Sequence, residues 1–192
     1  MKTNKWLLLV VQTALLLALT LIFQIYVRSM LPAGIINTLV VGSLVNLCLF
    51  VAAGTVGWRG SLAIAILSPV VAAFMGHLPT PLLIPFVAVG NAVLCVLFEL
   101  VIRKHESAVA AWSAVGIAAV AKTVTLYLLV VLVFNNLLAA GTGLPAKMVA
   151  ALAINFSWPQ LVTAIIGGAI AVPVIKAVRN AVGKLGREGA KV

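Results

Sequence analysis

The chain has 192 residues, 64% of them hydrophobic and 8% charged, with 13 Lys or Arg against 3 acidic residues. Such a composition excludes a soluble globular domain and indicates a polytopic membrane protein. The net charge of +10 does not point to nucleic acid, because the basic residues are sorted by loop and report topology instead.

Six apolar stretches follow one another: 5–27, 34–56, 61–76, 82–102, 108–138 and 156–178. Each is about long enough to cross a hydrocarbon core of ~30 Å as a helix rising 1.5 Å per residue, the third being short. The first follows Lys2 and Lys5 as a signal peptide would, but it is too long for one and reads as a retained span. It carries Ala14 and Ala18 at four-residue spacing and ends near Tyr26. The second holds Asn46 and Cys48, and the third, after Trp58 and Arg59, holds Pro69. The fourth runs from Pro85 through Asn91 and Cys95 to Glu99, with Arg103 and Lys104 behind it. The fifth passes Trp112, Lys122, Tyr127, Asn135 and Asn136 before Gly141, Gly143 and Pro145 end it. Segment 139–160 reads as a re-entrant or interfacial approach to the sixth span. That span opens on Trp158, Pro159 and Gln160 and contains Pro173. Residues 183–192 read as a mobile basic tail.

These stretches are expected to be helices, since backbone groups in lipid must be satisfied within the segment, and no alternating barrel pattern is visible. Lys2, Lys5, Arg59, Arg103, Lys104, Lys176, Arg179, Lys184, Arg187 and Lys191 fall on one side of an alternating six-span topology. Only Arg28 and Lys147 fall on the other. The positive-inside rule then places both termini in the cytoplasm, where the basic tail can also meet anionic lipid headgroups. Trp6, Trp58 and Trp112 fall at cytoplasmic span ends, which agrees. The expected architecture is an all-α integral membrane protein: one domain, a six-transmembrane-helix bundle with both termini inside. Cys48 and Cys95 read as small core residues, and His77 and His105 as plain loop histidines.

Lys122 is the strongest functional pointer. It sits near the middle of the fifth stretch, where a basic side chain is costly and faces a cavity or a partner. The chain has no Asp, and Glu99 is the one acid at membrane level, so a Glu99–Lys122 pair is one reading and an anionic ligand group the other. Asn91, Lys122 and Gln160 come from three consecutive spans and could converge on one outward cavity, with Tyr127 and Trp158 as flat walls. Ala14 with Ala18, Ala164 with Gly168 and Gly167 with Ala171 have the spacing of close helix packing, within the bundle or onto another membrane protein. No phosphate loop, HExxH or cluster of Cys and His occurs, so neither ATP hydrolysis, a metal nor a cofactor is expected. A catalytic set is not visible either, and the chain does not read as an enzyme.

The length, the six spans, Ala14-Leu-Leu-Leu-Ala18, Gly90-Asn91 after Pro85, and Gln160 ahead of Gly167-Gly168 resemble the S component of energy-coupling factor (ECF) vitamin transporters. The resemblance implies a high-affinity binder of a vitamin or similar micronutrient in the plasma membrane of a prokaryote. It implies a pocket on the outer side from the fourth to sixth helices, capped by the loops Arg28–Gly34 and His77–Pro81. It further implies docking through Ala14 and Ala18 on a separate coupling subunit served by two cytoplasmic ATPases, after which the loaded protein topples and releases substrate inward. Two other readings stand beside it: a stand-alone channel or facilitator, and an assembly subunit of a larger membrane complex.

Overall fold

The computed structural model describes residues 5–104 and 107–188, apart from the side chains of Lys5 and of residues 183–188. Lys2, His105 and the end of the expected mobile tail lie outside the described residues.

Every regular element among the described residues is helical. Helix α1, Lys5–Ile22, continues through a π-helical turn, Phe23–Val27, and a last turn, Arg28–Met30. Helices α2, Ile35–Thr55, and α3, Trp58–Phe74, follow. A single 3-10 turn, Pro81–Leu83, leads into α4, Ile84–Lys104. Helix α5, Ala108–Leu126, runs on as a wider π-helical segment, Tyr127–Leu138. After a 3-10 turn, Ala139–Thr142, the short α6 spans Ala146–Asn155, and α7 spans Trp158–Glu188. Five of these segments are long and apolar enough to cross a membrane, while Trp58–Phe74 has 17 residues, a rise of about 25 Å.

Local chemistry explains the helix ends. Gly34 and Gly57, both with positive φ, let the chain reverse before α2 and α3. Ser107 caps α5, its hydroxyl accepting from the Ala110 amide at 3.1 Å. Pro85 and Pro159 stand in first turns, where the missing N–H has no partner to lose. Pro69 and Pro173 lie inside α3 and α7, where a donor is lost. Arg179 of α7 donates to the Gly54 carbonyl at 2.8 Å and so satisfies the end of α2.

Helix α7 lies closest to α2. A Cβ on Gly167 would stand 2.5 Å from the Ser43 carbonyl oxygen and 2.7 Å from the Leu47 amide nitrogen, so only glycine permits this approach. Ala164 and Ala171 are fully buried on the same helix. One apolar core gathers Phe50, Leu94, Phe98, Ala118 and their neighbours, with Phe50 and Phe98 edge to face at 4.8 Å. A second gathers Leu83, Leu126, Phe134, Leu152 and Phe156. Helix α1 takes little part in either: of Trp6–Met30 almost nothing is buried. Its amino end is fastened instead by Arg59, whose guanidinium lies 6.0 Å from the Trp6 ring and 5.3 Å from Trp58.

Candidate binding site

Lys122 occupies the fourth turn of α5 and is 4% exposed. A buried amine needs oxygen partners, and two side-chain amides supply them. Lys122 Nζ donates to Asn46 Oδ1 of α2 at 2.6 Å and to Asn91 Oδ1 of α4 at 2.8 Å. The orientation of Asn46 is set from behind. The Thr163 hydroxyl donates to the Gln160 carbonyl at 3.1 Å, so its oxygen is left to accept from Asn46 Nδ2, also at 3.1 Å. That turns Asn46 Oδ1 toward the lysine. Gln160 Nε2 in turn donates to the Asn155 carbonyl at 3.0 Å, tying the start of α7 to the end of α6.

No carboxylate of the described residues joins this network. The one ion pair among them is Arg103 with Glu99, 3.5 Å apart and one turn along α4. The Glu99–Lys122 contact considered from sequence is therefore not formed. Asn91 stands level with Lys122, and Glu99 is eight residues further along the same helix, about 12 Å away at 1.5 Å per residue.

Lys122, Asn46 and Asn91 line a cavity of about 200 Å³. Its wall draws on every long helical segment: Gln24 of the π-helical turn that continues α1, Val41 and Val45 of α2, Ser68 and Pro69 of α3, Val87 of α4, Lys122 of α5, Gln160 and Thr163 of α7. Leu152, Asn155 and Phe156 enter from α6 and the turn after it. Pocket walls were expected from the fourth to sixth spans, yet the first three contribute more residues, in part because the close α2–α7 contact brings α2 into the centre. Arg28, Thr38, His77 and Asn155 also line a second, wider space of about 690 Å³, so they form a neck between the two. Asn37 holds the loop after α1 at this neck by donating to the carbonyls of Arg28, at 2.8 Å, and Leu31, at 3.1 Å. Burial, and then the nearby Arg28 charge, hold the His77 imidazole below its ordinary pKa of 6.5.

Of the residues expected at the site, Asn91, Lys122 and Gln160 do converge on this cavity. Tyr127 and Trp158 do not. They are 43% and 53% exposed and absent from its wall. Tyr127 is five residues beyond Lys122 and Trp158 two before Gln160, offsets that turn each side chain well away at about 100° per residue. The aromatic wall is Phe156 instead. Asn135 lies apart too, its amide donating to the Val149 carbonyl at 3.3 Å. Asn46, Thr163, Gln24 and Ser68 were not expected as site residues, and Arg28 and His77 were expected only as the first residues of the two loops capping the pocket. A mid-span amide and a basic residue on the sparse side were visible signals for Asn46 and Arg28, whereas His77 was read as a plain loop histidine. Ala14 and Ala18 both lie on the exposed side of α1, beside Leu15 and Leu19.

Long apolar helices packed around a cavity lined by polar side chains mark a multi-pass membrane protein. The chain belongs to the family of ECF transporter substrate-specific components, whose family model matches residues 9–179. Members of this family are transport subunits rather than enzymes. No curated protein and no solved structure matches the chain.

Proposed function

We propose that this protein is the high-affinity binding subunit of an ECF-type importer for a vitamin or related small micronutrient. It crosses the plasma membrane of a prokaryote six times with both termini in the cytoplasm, so that the Arg28–His77 neck faces outward. It works with a separate coupling subunit and two cytoplasmic ATPases. The observation that carries this reading is Lys122, held by Asn46 and Asn91 in a cavity that is open through one neck and closed beneath. Below it, Leu94 and Phe98 lie one and two turns beyond Asn91, and Phe50 one turn beyond Asn46, each no more than 1% exposed. A dead-end cavity suits a carrier that must be reoriented, and it argues against a facilitator, which needs a polar path from face to face.

The exposed Ala14 and Ala18 fit a docking face. The small-residue pairs of α7 are used up inside the bundle, but the helix 1 pair faces away from the described part of the chain. The test is reconstitution into proteoliposomes with and without an ECF coupling subunit and its ATPases. Substrate accumulation that requires ATP and the full assembly is the expected result. Equilibration by this protein alone would establish the facilitator instead.

A further inference from the structure

The charge balance of the inner cavity is one-sided. Lys122 and Arg28 line it, and no Asp or Glu of the described residues does. Lys122 spends two N–H groups on Asn46 and Asn91, and its ammonium has a third. The Arg28 guanidinium has no hydrogen bond or ion pair among the described residues. Two cations lining one cavity without a counter-charge among the described residues is an arrangement that an anionic guest completes.

Unmatched polar atoms add the second half. Six buried side-chain polar atoms among the described residues lack a partner, and three of them, Gln24 Oε1, Ser68 Oγ and His77 Nδ1, belong to residues lining this cavity. Ser68 is fully buried. Buried polar atoms are seldom left unpaired, and a group of them around one cavity marks where a guest's own polar atoms go. Gln24 Oε1 can only accept, so it calls for a donor. Size and shape complete the description. About 200 Å³ is small for a ligand pocket, and Phe156 is its one Phe, Tyr or Trp among the described residues, so no pair of flat faces exists to sandwich a broad ring system.

Taking the importer reading as given, the geometry points to a small carboxylate bearing hydroxyl or amide donors as the substrate. The carboxylate sits on Lys122 at the floor, the donors face Gln24 and Ser68, and Arg28 at the neck draws the anion in.

The experiment compares acids with their uncharged counterparts on the detergent-purified full chain, by thermal shift and calorimetric titration. The pairs are pantothenate with panthenol, nicotinate with nicotinamide, and biotin with biotinamide, with riboflavin as a large flat ring. Stabilisation by an acid and not by its neutral counterpart is expected. In Lys122→Met that acid binds roughly tenfold to hundredfold more weakly, as loss of a charged hydrogen bond predicts. Arg28→Gln, at the partly open neck, keeps the test available if the lysine variant does not fold, and slows association of the same acid. Equal binding of acid and neutral form, a response to riboflavin instead, or no response to any acid at millimolar concentration overturns the inference. Those failures leave the importer reading intact, because that reading stands or falls on ATP-dependent accumulation in proteoliposomes.

Discussion

Lys122 Nζ and Asn46 Oδ1 lie 2.6 Å apart, on residues 76 positions distant in sequence. The contact joins α5 to α2, and through Thr163 it reaches α7. One short bond thus fixes the floor of the cavity and three helices around it. A buried amine paired with neutral amides remains uncompensated in charge. That is a poor device for stability alone and a suitable one for receiving an anion.

Removing Asn46 therefore costs more than its own hydrogen bonds. Asn46→Leu leaves the lysine with one fewer oxygen and is expected to destabilise the protein by about 1.5–3 kcal/mol. Lys122→Met removes the charge that needs Asn46, so the double variant is less destabilised than the sum of the two. Thermal unfolding of all four proteins in one detergent closes the cycle, with a coupling of about 1–3 kcal/mol expected. Strict additivity would mean the 2.6 Å contact does not matter.

Glycines at two positions should respond in opposite directions. Gly167→Ala drives a methyl group onto the backbone of Ser43 and Leu47, which cannot rotate away. A loss of about 1–3 kcal/mol is expected, as for other overpacked sites. At Gly116 of α5 an added methyl group would meet nothing within 4 Å. Gly116→Ala therefore gains about 0.5–1 kcal/mol from helix propensity. Unfolding temperatures of the two variants, measured side by side, check the sign of each.

The helices and the site were legible in sequence to different degrees, for one physical reason. Apolar runs bounded by Gly34 and Gly57 mark α2 to within a residue of its expected ends. The last helix outruns its apolar stretch by ten residues, to Glu188, because hydropathy stops at the membrane while helix propensity does not. Polar residues inside apolar runs were equally plain, which is why Asn91, Lys122 and Gln160 could be picked out. What hydropathy cannot supply is the rotation of each helix. A span that is apolar all round carries no contrast between its lipid face and its core face. Tyr127 and Trp158 fall outside the cavity wall for that reason, and His77 was read as a plain residue of a capping loop because nothing local marks which loop side chain lines the neck. The pairing of Lys122 with Asn46 needs the α2–α5 contact, which no local pattern encodes.

Small-residue pairs on two helices should separate docking from folding. Ala14→Trp and Ala18→Trp enlarge an exposed face, so stability is expected to change by less than about 0.5 kcal/mol and substrate binding to persist. Co-purification with the coupling subunit and ATP-dependent uptake should fall sharply. Ala164→Leu, at a fully buried position, does the reverse and lowers the unfolding temperature. Retained coupling in both tryptophan variants would move the docking face off α1.

Acidity should tighten binding of an anionic substrate through His77. In the empty protein its pKa is lowered first by burial and then by Arg28, so the unfolded chain takes up the proton more readily. Stability contributed by the neutral imidazole is present above the unfolded value of about 6.5 and is lost as pH falls through it. A bound carboxylate offsets the Arg28 charge and raises the His77 pKa relative to the empty site. Binding then takes up a fraction of a proton, and affinity increases as pH falls from about 7.5 to about 5.5, by a few-fold and below the tenfold per unit that a full proton would give. The burial part of the shift is not reversed, which keeps the gain small. Calorimetric titration in buffers of different ionisation enthalpy reads the proton uptake directly. His77→Gln should reduce the uptake and flatten the pH profile between about 7 and about 5.5 while leaving affinity at about pH 7.5, in the range where the imidazole is already neutral, much the same.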